Sequence, residues 1–127
     1  MRIAITGGPK SGKTTLAEKL GARHGLTVLH TDDLIPLGWD AAIEATALWF
    51  DTLSSDWIIE GAQVARALRY WLGDHPEGLP CDQVIYLVKP KAPYTKKGQE
   101  VMAKGIATVM SQIEGRLLPI LAKPIAI

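Results

Sequence analysis

Gly7-Gly8-Pro9-Lys10-Ser11-Gly12-Lys13-Thr14 satisfies the spacing G-x-x-x-x-G-K-[ST] at every fixed position and follows directly on the apolar run Ile3-Ala4-Ile5. A strand, a glycine-rich turn and a helix start in that order read as a phosphate-binding loop. The glycines let backbone N–H groups turn inward around phosphate oxygens, and Lys13 adds a positive charge that reaches the terminal phosphates. The Thr14 hydroxyl is placed to hold Mg²⁺. The helix expected to begin near Gly12 aims its unpaired N–H groups and positive dipole end at the same anion. The set expected to hold a nucleotide is therefore Gly7, Gly8, Pro9, Lys10, Ser11, Gly12, Lys13, Thr14 and Thr15, with Lys13 also acting in catalysis.

Outward from this loop the pattern alternates between helix and strand periods. Thr14 to His24 reads as a helix with Leu16, Ala17 and Leu20 on one face and Gly25 as its stop. Thr27 to His30 is a short β-prone run. Residues 34–39, with Pro36 and Gly38, read as loop, and Asp40 is placed to cap a helix carrying Ile43, Ala47 and Phe50. Trp57-Ile58-Ile59-Glu60 is the third strand, and Gly61 opens a helix from Ala62 to Leu72 that Gly73 ends. Asp74 to Pro80 is loop by composition. Gln83 to Val88 is the most β-like run in the chain. The Lys89 to Lys97 loop precedes a long helix in which Met102, Ile106, Val109, Ile113, Leu117 and Leu121 recur at three and four, weakened or bent by Gly105, Gly115 and Pro119. Pro124-Ile125-Ala126-Ile127 is expected as a last short strand. Strands alternating with helices imply right-handed crossovers and a parallel sheet covered on both faces, a three-layer α/β architecture.

The 127 residues, 47% of them hydrophobic, fit one domain spanning 1–127. Fourteen Lys and Arg against 13 Asp and Glu leave a net charge of +1, too small a field to imply nucleic-acid or membrane binding by itself. The lone Cys81 excludes an internal disulfide and fits a reducing compartment. No run of ~18 apolar residues is present to span a membrane, and Met1-Arg2 leads into only a short apolar run, unlike a signal peptide. A cytoplasmic location is expected. The tryptophans Trp39, Trp49, Trp57 and Trp71 are expected in the core or a cleft wall.

Phosphoryl transfer to a hydroxyl requires positioning, charge neutralisation and a base near the acceptor. Asp32 and Asp33 end the second strand, on the edge where open parallel sheets bind ligands. Asp32 is preferred as the catalytic carboxylate and Asp33 as an acceptor contact, although adjacent aspartates also suit a plain turn. Glu60 ends the third strand and suits contact with a metal or with the acceptor. Arg66 and Arg69 share a helix side, which suits clamping an anionic acceptor or, equally, a solvated surface. His24, His30 and His75 are too scattered for a metal site and, with Cys81, are assigned no chemistry. Lys89, Lys91, Lys96 and Lys97 form a charge cluster that reads either as a flap closing over nucleotide, with Lys96 or Lys97 supplying the charge, or as a solvated loop.

Gly7 to Thr14, Thr31-Asp32-Asp33 after strand two, and Trp57-Ile58-Ile59-Glu60-Gly61 followed by Arg66 and Arg69 together resemble the P-loop kinases of small molecules, of the shikimate, gluconate and nucleoside monophosphate kinase type. The resemblance implies a sheet of strand order 2-3-1-4-5, use of ATP and Mg²⁺, an acidic acceptor contact at Asp32, and an arginine from the helix after strand three. It departs from the family at the lid, since no arginine lies between Lys89 and Ile113. The leading expectation is an ATP-dependent kinase acting on a small-molecule hydroxyl or phosphate acceptor, with no nucleic-acid or membrane partner. The alternative is a nucleotide-binding switch or ATPase acting on a protein partner.

Overall fold

A computed structural model describes residues 1–54 and 56–122. Five parallel strands form one sheet in the order β2-β3-β1-β4-β5: β1 is Arg2–Gly7, β2 Thr27–His30, β3 Trp57–Glu60, β4 Gln83–Leu87 and β5 Leu121–Ala122. Four α-helices connect them, α1 (Lys13–His24), α2 (Trp39–Thr52), α3 (Val64–Asp74) and α4 (Lys97–Leu117). The central strand β1 pairs with β3 on one side and β4 on the other, with Ile5 opposite Glu60 and Gly7 opposite Leu87.

The period-2 alternation of the strands divides the apolar residues between two faces. Ile3, Ile5, Ile58, Ile85 and Leu87 face one way and pack with Leu16 and Ala17 of α1. Ala4, Trp57, Ile59 and Val84 face the other way, toward α2, α3 and α4. There α3 contributes Val64, Leu68 and Leu72, and α4 contributes Ile106, Val109, Met110, Ile113 and Leu117. Trp57 and Trp71 lie in this core and Trp49 packs against it, whereas Trp39 is exposed.

Several boundaries differ from the sequence expectation. Residues 31–37 form a 3-10 helix through Pro36, where a loop is expected from residue 34. Gly38, at φ 97° and ψ 156°, breaks the chain there, and α2 starts at Trp39 with Asp40 inside its first turn instead of capping it. A carboxylate in that turn still meets the positive end of the dipole. Helix α3 begins at Val64, because Gly61 to Gln63 make a turn closed by Val64 N–H to the Gly61 carbonyl at 3.3 Å. It runs through Gly73 to Asp74, since glycine in a helix costs only about 1 kcal/mol and packing overrides it. Strand β4 ends at Leu87, one residue short of Val88. Helix α4 tolerates both Gly105 and Gly115 but ends at Leu117, two residues before Pro119, so Leu121 belongs to β5. The strand expected at Pro124 to Ile127 lies outside the described residues.

Leu68 is fully buried between the sheet and the helices, whereas Leu118 is 68% exposed. Leu68→Ala is expected to lower unfolding free energy by about 2–5 kcal/mol and Leu118→Ala to change it by about 0.5 kcal/mol or less. Urea unfolding of the two variants checks this, and equal losses would contradict the packing.

Candidate functional site

The loop between β1 and α1 is built from backbone conformations that side chains resist. Gly12 has φ 91° and precedes the first residue of α1, which has no side-chain cap and no acidic residue in its first turn. Its free N–H groups are therefore left to an external acceptor. Lys10 also has a left-handed φ of 61°, an uncommon conformation for a non-glycine residue. The Ser11 hydroxyl is buried inside the loop without a hydrogen-bond partner, as is Thr6 Oγ1 at the end of β1. An orphaned buried hydroxyl beside unpaired helix amides fits an anion-binding concavity.

Lys13 crosses this concavity and donates from Nζ to the Gly8 carbonyl at 3.0 Å. Burial pulls its pKa below the ordinary lysine value, while the Glu60 carboxylate, and after it that of Asp32, pull it back up. Lys13 is thus a partly desolvated cation acted on by two carboxylates, Glu60 at the end of β3 and Asp32 in the 3-10 helix that follows β2. Thr14 Oγ1 donates to Glu60 Oε1 at 3.4 Å, so the two residues suited to hold a divalent cation are already adjacent. Among the described residues no group of three or more His, Cys, Asp and Glu is arranged to hold a metal by itself.

Glu60 is the organising carboxylate of the site, and it is buried, with 3% exposure. Register explains its neighbours, because His30 of β2 lies directly opposite it. His30 Nδ1 meets Glu60 Oε1 at 2.5 Å, and its Nε2 meets Glu18 Oε1 of α1 at 3.2 Å. The hydrogen bond to Glu60 raises the His30 pKa, burial opposes the rise, and the charges of Glu60, Glu18 and Asp33 add to it. The sequence reading sets His30 aside for want of a metal cluster. The missed signal is pairwise, a histidine and a glutamate that both end strands neighbouring in the sheet.

Behind Glu60, Gly61 has φ 147°, and a Cβ there would sit 1.7 Å from Thr31 Oγ1. Only glycine permits this approach between the ends of β2 and β3. Thr31 is buried and donates to Gln63 Oε1 at 2.8 Å, tying the start of the 3-10 helix to the turn before α3. The tie places exposed Asp32, the residue whose charge acts on Lys13, at the cleft edge. Asp33 lies on the His30 side.

Arg66 and Arg69 do not join this cluster: among the described residues, neither guanidinium hydrogen-bonds to Lys13, Thr14, Asp32 or Glu60. They line a hollow of about 320 Å³ with Asp40, Ile43, Glu44 and Tyr70. Arg69 donates to Gln112 of α4 at 2.8 Å. Arg66 Nη2 lies near Gly105 of α4, and its Nη1 is buried without a partner. The hollow thus presents arginine and carboxylate together.

The segment after β4 is fastened to the loop. Lys91 N–H donates to the Lys10 carbonyl at 2.7 Å, and Lys10 Nζ donates to the Pro93 carbonyl at 3.2 Å. Lys96 instead stands at the N-terminus of α4, where Gln99 Oε1 accepts from the N–H groups of Thr95 and Lys96 at 2.9 and 3.3 Å.

No protein-family model and no curated protein matches this chain. Among solved structures, a shikimate kinase from Acinetobacter baumannii in complex with shikimate superposes with a TM-score of 0.60 at 12% identity, covering 99% of this chain and 83% of that one. The likeness shows a P-loop kinase fold. No helix among the described residues is long and apolar enough to cross a membrane.

The raised His30 pKa has a stability consequence. A group that binds its proton more tightly when folded contributes stability that is full below the unfolded value of 6.5 and is lost as pH rises through the folded pKa. Unfolding free energy is therefore expected to fall with rising pH above about 6.5, and His30→Gln to flatten that slope. Urea unfolding across a pH series, with an NMR titration of the His30 ring, checks it; an unchanged slope in His30→Gln would assign the dependence elsewhere.

Proposed function

We propose that the chain is an ATP-dependent phosphotransferase acting on a small-molecule hydroxyl or phosphate acceptor. One observation carries the reading: Lys13 sits in a loop with unpaired helix amides and a buried orphan hydroxyl, flanked by Glu60 at the end of β3 and Asp32 just after β2. The superposition on a kinase holding shikimate supports a small-molecule acceptor. The residues present fit magnesium-bound ATP, which supplies the phosphoryl group. The unpaired amides at the start of α1 and Lys13, with the loop from Gly7 to Thr15 around them, would hold its phosphates, and Thr14, with Glu60 beside it, would hold Mg²⁺.

The remaining roles belong to this chain's own side chains. Asp32, exposed at the cleft edge, accepts the proton of an acceptor hydroxyl at its carboxylate. Asp33 and Glu60 border the same space. Arg66, with a buried nitrogen lacking a partner, and Arg69 offer planar donors to an anionic group on the acceptor. Asp40 and Glu44, which line the same hollow, favour hydroxyl or ammonium groups on the same molecule.

Lys13→Ala is expected to weaken ATP binding by at least about tenfold while leaving the fold intact, because it deletes a charge-assisted phosphate contact. Asp32→Asn is expected to retain ATP binding but lose transfer by about 10²–10⁴, the scale of removing a general base. Calorimetric titration and turnover assays on the two variants check these outcomes. Full ATP affinity in folded Lys13→Ala would remove the loop as the nucleotide site, and full turnover in Asp32→Asn would return Asp32 to a turn role.

A further inference from the structure

Lys91 carries a feature of the site that its position in sequence conceals. Its backbone N–H is bonded to the Lys10 carbonyl at 2.7 Å, which fixes residue 91 against the loop. Its side chain lies back across Gly12: a Cβ built on Gly12 would meet Lys91 Cε at 3.0 Å, Cδ at 3.2 Å and Nζ at 3.2 Å. The ammonium group therefore rests beside the first turn of α1, where the dipole is positive and the first turn has no acidic residue of its own, while Glu60 is engaged with Thr14 and, with Asp32, acts on Lys13. A lysine at a helix N-terminus is unfavourable by itself, since cations are stabilised at the opposite end.

Lys13 adds a second cation to the same loop. Lys10, by contrast, turns its charge outward to the Pro93 carbonyl at 3.2 Å. The strap thus draws one loop lysine away and delivers another onto Gly12. Positive groups converging on unpaired amides, with the buried Ser11 hydroxyl also lacking a partner, leave a site whose electrostatics an anion completes.

We propose that Lys91 is a phosphate-contacting residue, supplying the cation that an arginine-rich lid would otherwise bring. The proposal rests on the nucleotide-binding reading and deepens it: the charge comes from Lys91, docked on the loop, and not from Lys96 or Lys97 at the start of α4. A lysine here acts as a point charge on phosphate oxygens, without the bidentate geometry of arginine. Its contact is with the phosphate chain rather than the base, because Gly12 adjoins the helix amides that face phosphate.

Lys91→Met keeps the apolar stem over Gly12 and removes the charge; Lys91→Arg restores it. Calorimetric titration of each with magnesium-ATP, and with inorganic tripolyphosphate as a base-free probe, separates phosphate contact from packing. Lys91→Met is expected to weaken both ligands about tenfold, the scale of one charge-assisted hydrogen bond. Lys91→Arg is expected to stay within about threefold of the parent, as is Lys19→Met, an exposed lysine elsewhere on α1 that controls for net charge. Unchanged binding in Lys91→Met, loss for ATP but not tripolyphosphate, or equal loss in Lys19→Met would overturn the assignment while leaving the nucleotide reading intact. A parent protein that binds neither ligand overturns both.

Discussion

The parallel pairing of β1 with β3 and β4 is the constraint from which the site follows. Parallel hydrogen bonding brings all the strands' C-terminal ends to one edge, and the register places Glu60 opposite Ile5 and Leu87 opposite Gly7. The loop after β1 therefore opens between the carboxylate that ends β3 and the chain leaving β4. Pairing β2 beside β3 then sets His30 against Glu60. The loop, the carboxylate, the imidazole and the segment after β4 follow four strands separate in sequence, and the pairing of those strands sets them abreast. The apolar alternation that drives this pairing also fixes the face on which α1 docks, so its N-terminus points along the same edge.

Within that frame the charges are arranged in opposition. Lys13 is partly desolvated, which disfavours its charged form, and the carboxylates of Glu60 and Asp32 offset the cost. Glu60 is buried and in turn engages His30, which reaches out to Glu18 on the surface of α1. A chain of alternating charge thus runs from the loop to solvent, and each member restrains the rotamer of the next. The close contact of Gly61 with Thr31 keeps the ends of β2 and β3 near enough for the chain to form.

The local part of this arrangement was legible in the sequence. Gly7 to Thr14 specifies a loop because its glycines, lysine and threonine lie within one continuous turn, and the adjoining strand and helix show their own periods. The sheet order followed from resemblance to the P-loop kinases of small molecules, and the structure has that order. What the sequence did not disclose depends on contacts across elements. His30 gains its partner only once the register of β2 against β3 is known. Lys91 stands among several lysines in one loop, and it is the backbone bond to Lys10 and the side-chain approach to Gly12 that distinguish it from Lys96. The end of α3 shows a similar limit, since Gly73 looks like a stop but the packing of Leu72 and Trp71 carries the helix past it.

The central claim is that this edge binds ATP and directs its terminal phosphoryl group to a small molecule. The most direct measurement follows γ-labelled ATP, with Mg²⁺, through a panel of hydroxylated and phosphorylated anions, with products identified by mass. The account predicts label on one class of acceptor and little release as inorganic phosphate when that acceptor is present. Label released as inorganic phosphate at the same rate with and without every acceptor would contradict transfer and favour a nucleotide-hydrolysing switch.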